Sequence, residues 1–154
     1  MSGKVCCVTG HRVIPAEQLE RVESELRSLI LQAIADGYDT FLSGFAEGTD
    51  QLFARLVLEL QKEHPIRMEA VLPHSGRAKC SNPEFQALLS QCHAVHIAAE
   101  KFFTGCFFAR NRWMVERSDL LIAVYDGRQR GGSFYTIQYA KGLGREIAFV
   151  NVVS

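Results

Sequence analysis

Two glycine-bearing loops, each between a short apolar run and an amphipathic run, are the parts of this sequence best suited to chemistry. They are Ser43 to Asp50 and Asp126 to Ser133. Where a strand passes into a helix, the first helical N–H groups lack partners and carry partial positive charge, and glycine lets a ligand's oxygens approach the backbone. Two such junctions predict a phosphate-bearing ligand, and both are expected to act as phosphate-binding loops. Glycine at either turn can also serve only a tight bend or close helix packing.

Arginines cluster in or beside the loops that follow the predicted strands. Seventeen acidic residues balance seventeen basic ones, so the chain has no overall positive charge and any anion site must be local. Since guanidinium groups bind phosphate in planar, bidentate geometry, this placement favours a ligand with more than one negative charge, and we do not expect nucleic acid to be a partner. The arginines are Arg12, Arg110, Arg112, Arg128 and Arg130. Alternatives remain: a solvated loop tip would explain Arg128 and Arg130, and an ion pair with Glu116 or Asp119 would explain Arg110 and Arg112.

Four strand-to-helix loops supply the predicted ligand-binding residues. In this hypothesis glycine N–H groups and a serine bind phosphate, arginines neutralise its charge, and Asp50 or Asp126 accepts ribose hydroxyls. His11 would contact phosphate, act as an acid-base group or simply be exposed. The predicted residues are Thr9, Gly10, His11, Arg12, Ser43, Gly44, Gly48, Asp50, Arg110, Asn111, Asp126, Gly131, Gly132 and Ser133.

An aromatic stretch precedes and enters the fourth predicted crossover. It comprises Phe102, Phe103, Phe107, Phe108 and Trp113. These rings could form a stacking wall for a base, but core packing or a contact between copies of the chain is the more ordinary explanation. They make a homo-oligomer plausible.

Short apolar strands alternate with longer amphipathic helices along the chain. This alternation predicts an α/β fold whose mainly parallel sheet is covered by helices on both faces, with the strand-to-helix loops gathered at the carboxyl edge. A long, mobile loop is expected between Pro73 and Asn82. The predicted strands are 4–9, 40–42, 67–72, 95–98, 119–124 and 147–150, and the predicted helices lie within 15–37, from 49 or 50, from 82, over 107–116 and over 133–141.

Composition bounds the remaining possibilities. A chain of 154 residues with 47% hydrophobic content fits one domain, residues 1–154, with a core that needs no metal, cofactor or disulfide. The apolar runs are too short to span a bilayer and the first residues lack a signal-peptide pattern, so we expect a soluble, cytoplasmic protein without membrane partners. The five cysteines are interpreted as reduced thiols, and a metal site of Cys92, His96 and Cys106 matches no structural zinc spacing.

Four motifs, in order and at fitting spacing, resemble the YpsA-like branch of the SLOG superfamily. They are Thr9-Gly-His-Arg12; Ser43-Gly-x-Ala-x-Gly-x-Asp50; Arg110-Asn-x-x-Met-Val115 with Ser118-Asp119; and Tyr125-Asp-Gly127 followed by Gly131-Gly-Ser-x-x-Thr136. The resemblance runs from Val5 to about Val150. It implies a Rossmann-like three-layer sandwich whose loops bind nucleotide-derived ligands such as ADP-ribose, NAD-like molecules or mononucleotides, in a sensing or processing role.

Relatives in this superfamily imply two alternatives to a binding module. One is LOG-like hydrolysis or transfer at a nucleotide N-glycosidic bond, with Asp50 and Arg110 as candidate catalytic residues. The LOG motif, however, ends in a catalytic glutamate where this chain has Gln138, and glutamine cannot act as a general base. The other alternative is single-stranded DNA binding of the kind found in DprA. The sequence leaves catalytic turnover, ligand identity and oligomeric state open.

Overall fold

A six-stranded, wholly parallel sheet forms the centre of the protein in a computed structural model, which describes residues 3–153. The strand order is β4-β3-β2-β1-β5-β6, so the chain winds outward from β1 in one direction and later in the other. The strands are β1 (Lys4–Gly10), β2 (Tyr38–Ser43), β3 (Arg67–Leu72), β4 (Ala94–Ile97), β5 (Leu120–Tyr125) and β6 (Glu146–Asn151).

Helices cover both faces of the sheet. The helices are α1 (Leu19–Ala35), α2 (Thr49–Leu60), α3 (Pro83–Ser90), α4 (Cys106–Glu116) and α5 (Gly132–Gly142), and short 3-10 turns cover Ala16–Gln18 and Ser75–Lys79. Alternate strand residues belong to different cores, as the neighbours Cys6 and Cys7 show. The core containing Cys6 includes residues of α1, α2 and α3, whereas that containing Cys7 includes residues of α4 and α5. The fold is therefore a Rossmann-like α/β sandwich, as the sequence predicts.

Element order and type agree with the sequence, but one segment and one cluster differ. The loop expected to be mobile between Pro73 and Asn82 contains the 3-10 turn, where Ser75 N–H donates to carbonyl oxygens of both Ala99 and Glu100. The core interpretation of the aromatic stretch is wrong for its four phenylalanines, because their exposed fractions range from 37% at Phe107 to 63% at Phe102. Phe102 and Phe103 precede α4, Phe107 and Phe108 lie in its first turn, and none of the four belongs to either core.

None of the helices between residues 3 and 153 is both long enough and apolar enough to pass through a lipid bilayer. Likewise, no three His, Cys, Asp or Glu side chains in this part of the chain form a group able to hold a metal ion. The five cysteines are free thiols, of which Cys6, Cys7 and Cys106 are buried.

Candidate functional site

Two cavities open where the strands end at the carboxyl edge of the sheet. The first, the switch-point cavity, has a volume of about 430 Å³ and lies between residues 10–13 after β1 and residues 128–133 before and within the start of α5. The second, the arginine cavity, has a volume of about 550 Å³ and includes Arg12, Arg77 and Arg110 in its lining. Arg12 lines both. Because β1 is flanked by β2 and β5, this is the point where strand order reverses, the usual ligand crevice of an open α/β sheet.

The first glycine loop is held closed by its own residues. Ser43 Oγ donates to the carbonyl of Asp50 at 2.7 Å and accepts the N–H of Phe45 at 3.2 Å. The Asp50 carboxylate accepts the N–H of Ala46 at 3.2 Å. These three hydrogen bonds pair five polar groups of the loop with one another instead of with a ligand, and Asp50 lines neither cavity.

Gly44 and Gly48 are required in this loop by close packing. A Cβ atom on Gly44 would lie 2.5 Å from Nη1 of Arg110, and one on Gly48 would lie 2.3 Å from the backbone oxygen of Arg12. Gly48 also has φ 75° and ψ −119°, a conformation that L-residues rarely adopt. Next to it, Thr49 donates both its N–H and its hydroxyl to the carbonyl of His11. The loop thereby fixes the segment that carries Arg12.

The second glycine loop is open at its tip. A Cβ atom on Gly131 or on Gly132 would meet nothing within 4 Å, and both residues line the switch-point cavity with Ser133. Gly131 provides no side-chain cap for α5, so the first N–H groups of that helix, which begins in the lining of this cavity, have no side-chain acceptor from their N-cap residue. Ser133 Oγ accepts a long hydrogen bond from Thr9 Oγ1 at 3.4 Å, which joins this loop to the end of β1.

Asp126 fixes the base of this loop. Its carboxylate accepts hydrogen bonds from Nε, Nη2 and the backbone N–H of Arg128, and this pairing holds the pKa of Asp126 well below its usual range. His11 Nε2 accepts the backbone N–H of Asp126 at 3.0 Å, which assigns the ring's proton to Nδ1. Burial lowers the pKa of His11 and favours this neutral form. His11 and Arg128 thus have structural partners, while Arg130 has no carboxylate within 4 Å in the described part of the chain.

Arg110 is a nearly buried cation, only 4% exposed. Its Nη1 donates to the carbonyl of Gly44 at 2.6 Å and, more weakly, to that of Val71 at 3.5 Å, and its Nε donates to Oδ1 of Asn111 at 2.7 Å. Asn111 in turn donates to Thr136 on α5. Neither Glu116 nor Asp119 pairs with Arg110 among residues 3–153, so the ion-pair explanation is wrong.

Charge is unevenly distributed around Arg110. Burial lowers the pKa of Arg110 and raises the pKa of Asp50, and each of the two charges favours the charged form of the other. The two side chains do not form a salt bridge within 4 Å. In the arginine cavity the lining contains three guanidiniums and one carboxylate, Glu47.

Aromatic rings form one side of the arginine cavity. The guanidinium carbon of Arg12 lies 5.6 Å from the ring centre of Phe107, and that of Arg110 lies 5.9 Å from it. His74 packs edge-on against Phe107 and against Phe102. The half-exposed Phe107 therefore stands beside two cations and an imidazole, an arrangement suited to stacking a base.

The sequence singled out some residues that lie elsewhere and missed others that line the cavities. Arg112 lines a separate groove with Phe108 and Tyr135 between α4 and α5. Arg77 and His74 were missed because their segment was expected to be a mobile loop. One signal was available: this segment follows β3 and so must leave the sheet at the same carboxyl edge as the other loops.

Trp113 lines neither cavity at the carboxyl edge. It lies between His96, whose ring centre is 4.8 Å away, and Arg117, whose guanidinium carbon is 3.9 Å from the indole centre. His96 also hydrogen-bonds Glu69 at 2.6 Å. This ring therefore has protein partners of its own and is remote from the site proposed for a ligand.

Comparisons with known proteins agree with this architecture. Over 154 aligned residues the chain is 25% identical to a UPF0398 protein of Bacillus pumilus, covering 90% of this chain and 82% of the relative. It is 27% identical over 157 residues to a UPF0398 protein of Bacillus thuringiensis, covering 92% and 84%.

Two solved structures share the fold. DNA processing protein A from Helicobacter pylori, whose structure is described for its unique single-stranded DNA binding mode, superposes with a TM-score of 0.70 and 19% identity over 95% of this chain. This chain spans 64% of that one. TM1055, a structural genomics target, superposes with a TM-score of 0.61 and 18% identity, covering 94% of this chain and 72% of TM1055.

The Helicobacter pylori structure corrects one expectation from the sequence. The sequence led us not to expect nucleic acid as a partner because the net charge is zero, but a protein of this fold binds single-stranded DNA. Net charge is the wrong quantity for that expectation, because the arginines of this chain are concentrated at one edge of the sheet.

The match with the largest bearing on identity comes from a family model. The YpsA model, described as the YspA SLOG family, matches residues 6–150. This range includes both glycine loops and all six strands, apart from Lys4 and Val5 at the start of β1 and Asn151 at the end of β6. The chain belongs to the YpsA SLOG family.

Proposed function

We propose that this protein binds a nucleotide-derived ligand, such as ADP-ribose, an NAD-like molecule or a mononucleotide, across the carboxyl edge of the sheet. One observation carries the proposal: two cavities at the strand-order reversal share Arg12, and each is lined by three arginines. The lining of the switch-point cavity includes no carboxylate. Volumes of about 430 and 550 Å³ fall in the range of small-molecule sites.

The cavities assign different parts of the ligand to different residues. Phosphate is bound in the switch-point cavity by Arg12, Arg130 and the free N–H groups at the start of α5. The base stacks beside Phe107 in the arginine cavity. Ser43 to Asp50 acts indirectly in this scheme, since the carbonyl of Gly44 accepts from Arg110 and Thr49 donates twice to the carbonyl of His11, the residue before Arg12.

Isothermal titration calorimetry with AMP, NAD and ADP-ribose tests the proposal on ligand-free protein. At least one of the three is expected to bind, and Arg130→Gln is expected to weaken that binding about tenfold, the effect of losing roughly 1.4 kcal/mol from a charged contact. Arg27→Gln is the matched control, because Arg27 lies on α1 and pairs with Glu59 away from both cavities. Failure of all three nucleotides to bind, or equal weakening by both substitutions, would contradict the proposal.

A catalytic role is not part of the proposal. Asp50, the candidate nucleophile or base, is 7% exposed and accepts a backbone hydrogen bond within its own loop. Glu47 is the carboxylate that lines the arginine cavity. Incubation of AMP or NAD with the protein followed by chromatography for the free base tests for turnover, and released base that disappears in Glu47→Gln would add an N-glycosidic activity to the binding site.

Single-stranded DNA binding is the second candidate, favoured by the fold shared with Helicobacter pylori DNA processing protein A. The exposed phenylalanines near the arginine cavity provide aromatic surface beside positive charge, the combination that binds single strands. Gel-shift titrations of oligothymidylate at low and moderate salt test it. Saturable binding that weakens with salt and with Arg130→Gln supports this candidate, whereas no shift at low salt excludes it.

A further inference from the structure

A phosphate bound in the switch-point cavity would not pair with all the arginines at this edge of the sheet. Arg77 and Arg110 line only the arginine cavity. Arg110 is 96% buried, as its exposed fraction of 4% implies, yet no carboxylate lies within 4 Å of its guanidinium in residues 3–153. The hydrogen bonds described above use its Nε and Nη1. Its Nη2 has no hydrogen-bond partner among the described residues, and the side chain lines the cavity.

Arg77 places a second guanidinium in the same cavity. Its Nη2 donates to the carbonyl of Phe45 at 3.1 Å and its Nη1 contacts Sγ of Cys80 at 3.7 Å, while its guanidinium carbon lies 4.7 Å from the ring centre of Phe85. These contacts orient the cation without neutralising it. Like Arg110, Arg77 has no carboxylate within 4 Å in the described structure.

Compensation inside the protein is partial. Glu47 is exposed and forms no salt bridge with the three arginines among residues 3–153. The Asp50 carboxylate favours the charged form of Arg110 from beyond 4 Å, while it accepts the N–H of Ala46. A buried cation without a paired anion is costly, and the cost rises when three like charges share one cavity. An anion in this cavity would pair with the buried Arg110 and reduce the repulsion among the three guanidiniums.

We infer that the arginine cavity binds a second anionic group of the ligand, so that the preferred ligand is a nucleotide with phosphate groups at two separate positions. Arg12 stands between the two sites, Arg77 and Arg110 contact the second phosphate, and Arg130 with the start of α5 contacts the first. This inference rests on the proposed function and narrows its ligand class. A bisphosphorylated nucleoside and a dinucleotide with an additional phosphate share the required chemistry.

Calorimetry with AMP, adenosine 3′,5′-bisphosphate and NADP tests the inference. One of the two ligands with separated phosphates is expected to bind at least about tenfold more tightly than AMP, and the one that gains identifies the source of the second phosphate. Arg77→Gln is expected to remove that gain while leaving AMP affinity within about twofold. Arg77→Lys keeps the positive charge but loses the planar, bidentate geometry of the guanidinium. It is expected to retain part of the tighter binding of the two-phosphate ligand.

Arg130→Gln provides the comparison from the other cavity. It is expected to weaken AMP and the preferred two-phosphate ligand by the same factor, because both place a phosphate there. Thermal unfolding of each variant without ligand separates lost binding from lost folding. Cys80 is a free thiol that lines the arginine cavity, so a ligand bound there should shield it. The preferred two-phosphate ligand should slow the modification of Cys80 by Ellman's reagent more than AMP does.

Two results overturn the inference while leaving the proposed function intact. One is equal affinity for AMP and both two-phosphate ligands. The other is an Arg77→Gln variant that remains folded and binds AMP and the two-phosphate ligand with equally reduced affinity. No binding by any ligand would overturn the proposed function and this inference together.

Discussion

Replacing Gly48 by alanine tests how the first glycine loop positions Arg12. Two costs are expected. The backbone at Gly48 has φ 75°, and forcing an L-residue into such a conformation costs about 1–3 kcal/mol. In addition, the new Cβ would stand 2.3 Å from the backbone oxygen of Arg12 and 2.7 Å from that of His11, and relieving such overpacking costs about 1–3 kcal/mol more. We expect a total loss of roughly 4 kcal/mol.

Gly37→Ala is the matched control, because Gly37 has φ 95° but a Cβ there would meet nothing within 4 Å. It should show the backbone cost alone, about 1–2 kcal/mol. Urea unfolding monitored by circular dichroism gives both values, and their difference measures the clash. With a slope of about 2 kcal/mol per molar urea, a difference of 2 kcal/mol separates the two midpoints by about 1 M.

The reasoning fails if the two variants lose the same stability. That result would mean that the segment of His11 and Arg12 moves freely away from Gly48. It would also remove the argument that Ser43 to Asp50 serves the site by holding its neighbours.

Three further perturbations have definite expected outcomes. Because burial lowers the folded-state pKa of His11, the unfolded chain binds the extra proton more readily than the folded protein does. The stability contributed by neutral His11 is therefore present above the unfolded pKa of about 6.5 and is lost as pH falls through the lower folded pKa. Urea midpoints measured from pH 7.5 to 5 should fall more steeply in the parent than in His11→Gln. Asp50→Ala leaves the buried N–H of Ala46 without its acceptor and should cost about 2 kcal/mol in urea unfolding, whereas Asp50→Asn keeps an acceptor and should cost less; the reverse order would contradict the assignment. Ellman's reagent should modify Cys80 quickly in the folded protein and Cys92 slowly, because burial raises the pKa of Cys92 to about 12, and all five thiols should react after denaturation; more than two reactive thiols in the folded protein would contradict the packing.

The fold could be predicted from the sequence because its signals are local and mutually consistent. Short apolar runs alternating with amphipathic helices specify parallel strands with helical crossovers, and the right-handed crossover rule gathers the loops at one edge. The extra turn at Ser75–Lys79 was not predictable in this way. The N–H of Ser75 at its start donates to Ala99 and Glu100, which are distant in sequence, so a local pattern does not reveal what fixes the turn there.

The site was predictable as a location but not as a set of contacts. Arg12, Arg110 and Arg130 do line the cavities, as expected from loops that follow parallel strands. The sequence could not distinguish an arginine with an internal partner, Arg128, from one without, Arg130, because side-chain pairing depends on distances of a few ångströms. Nor could it show that Gly44 and Gly48 make room for protein atoms, while Gly131 leaves space open.

Trp113, the one tryptophan of the chain, packs against His96 of β4 and Arg117 at the end of α4. Its fluorescence is therefore a built-in signal for the packing of α4 on the sheet. Since the ring lines neither carboxyl-edge cavity, a ligand bound there would not replace its packing partners, and the same emission can follow unfolding of ligand-binding variants.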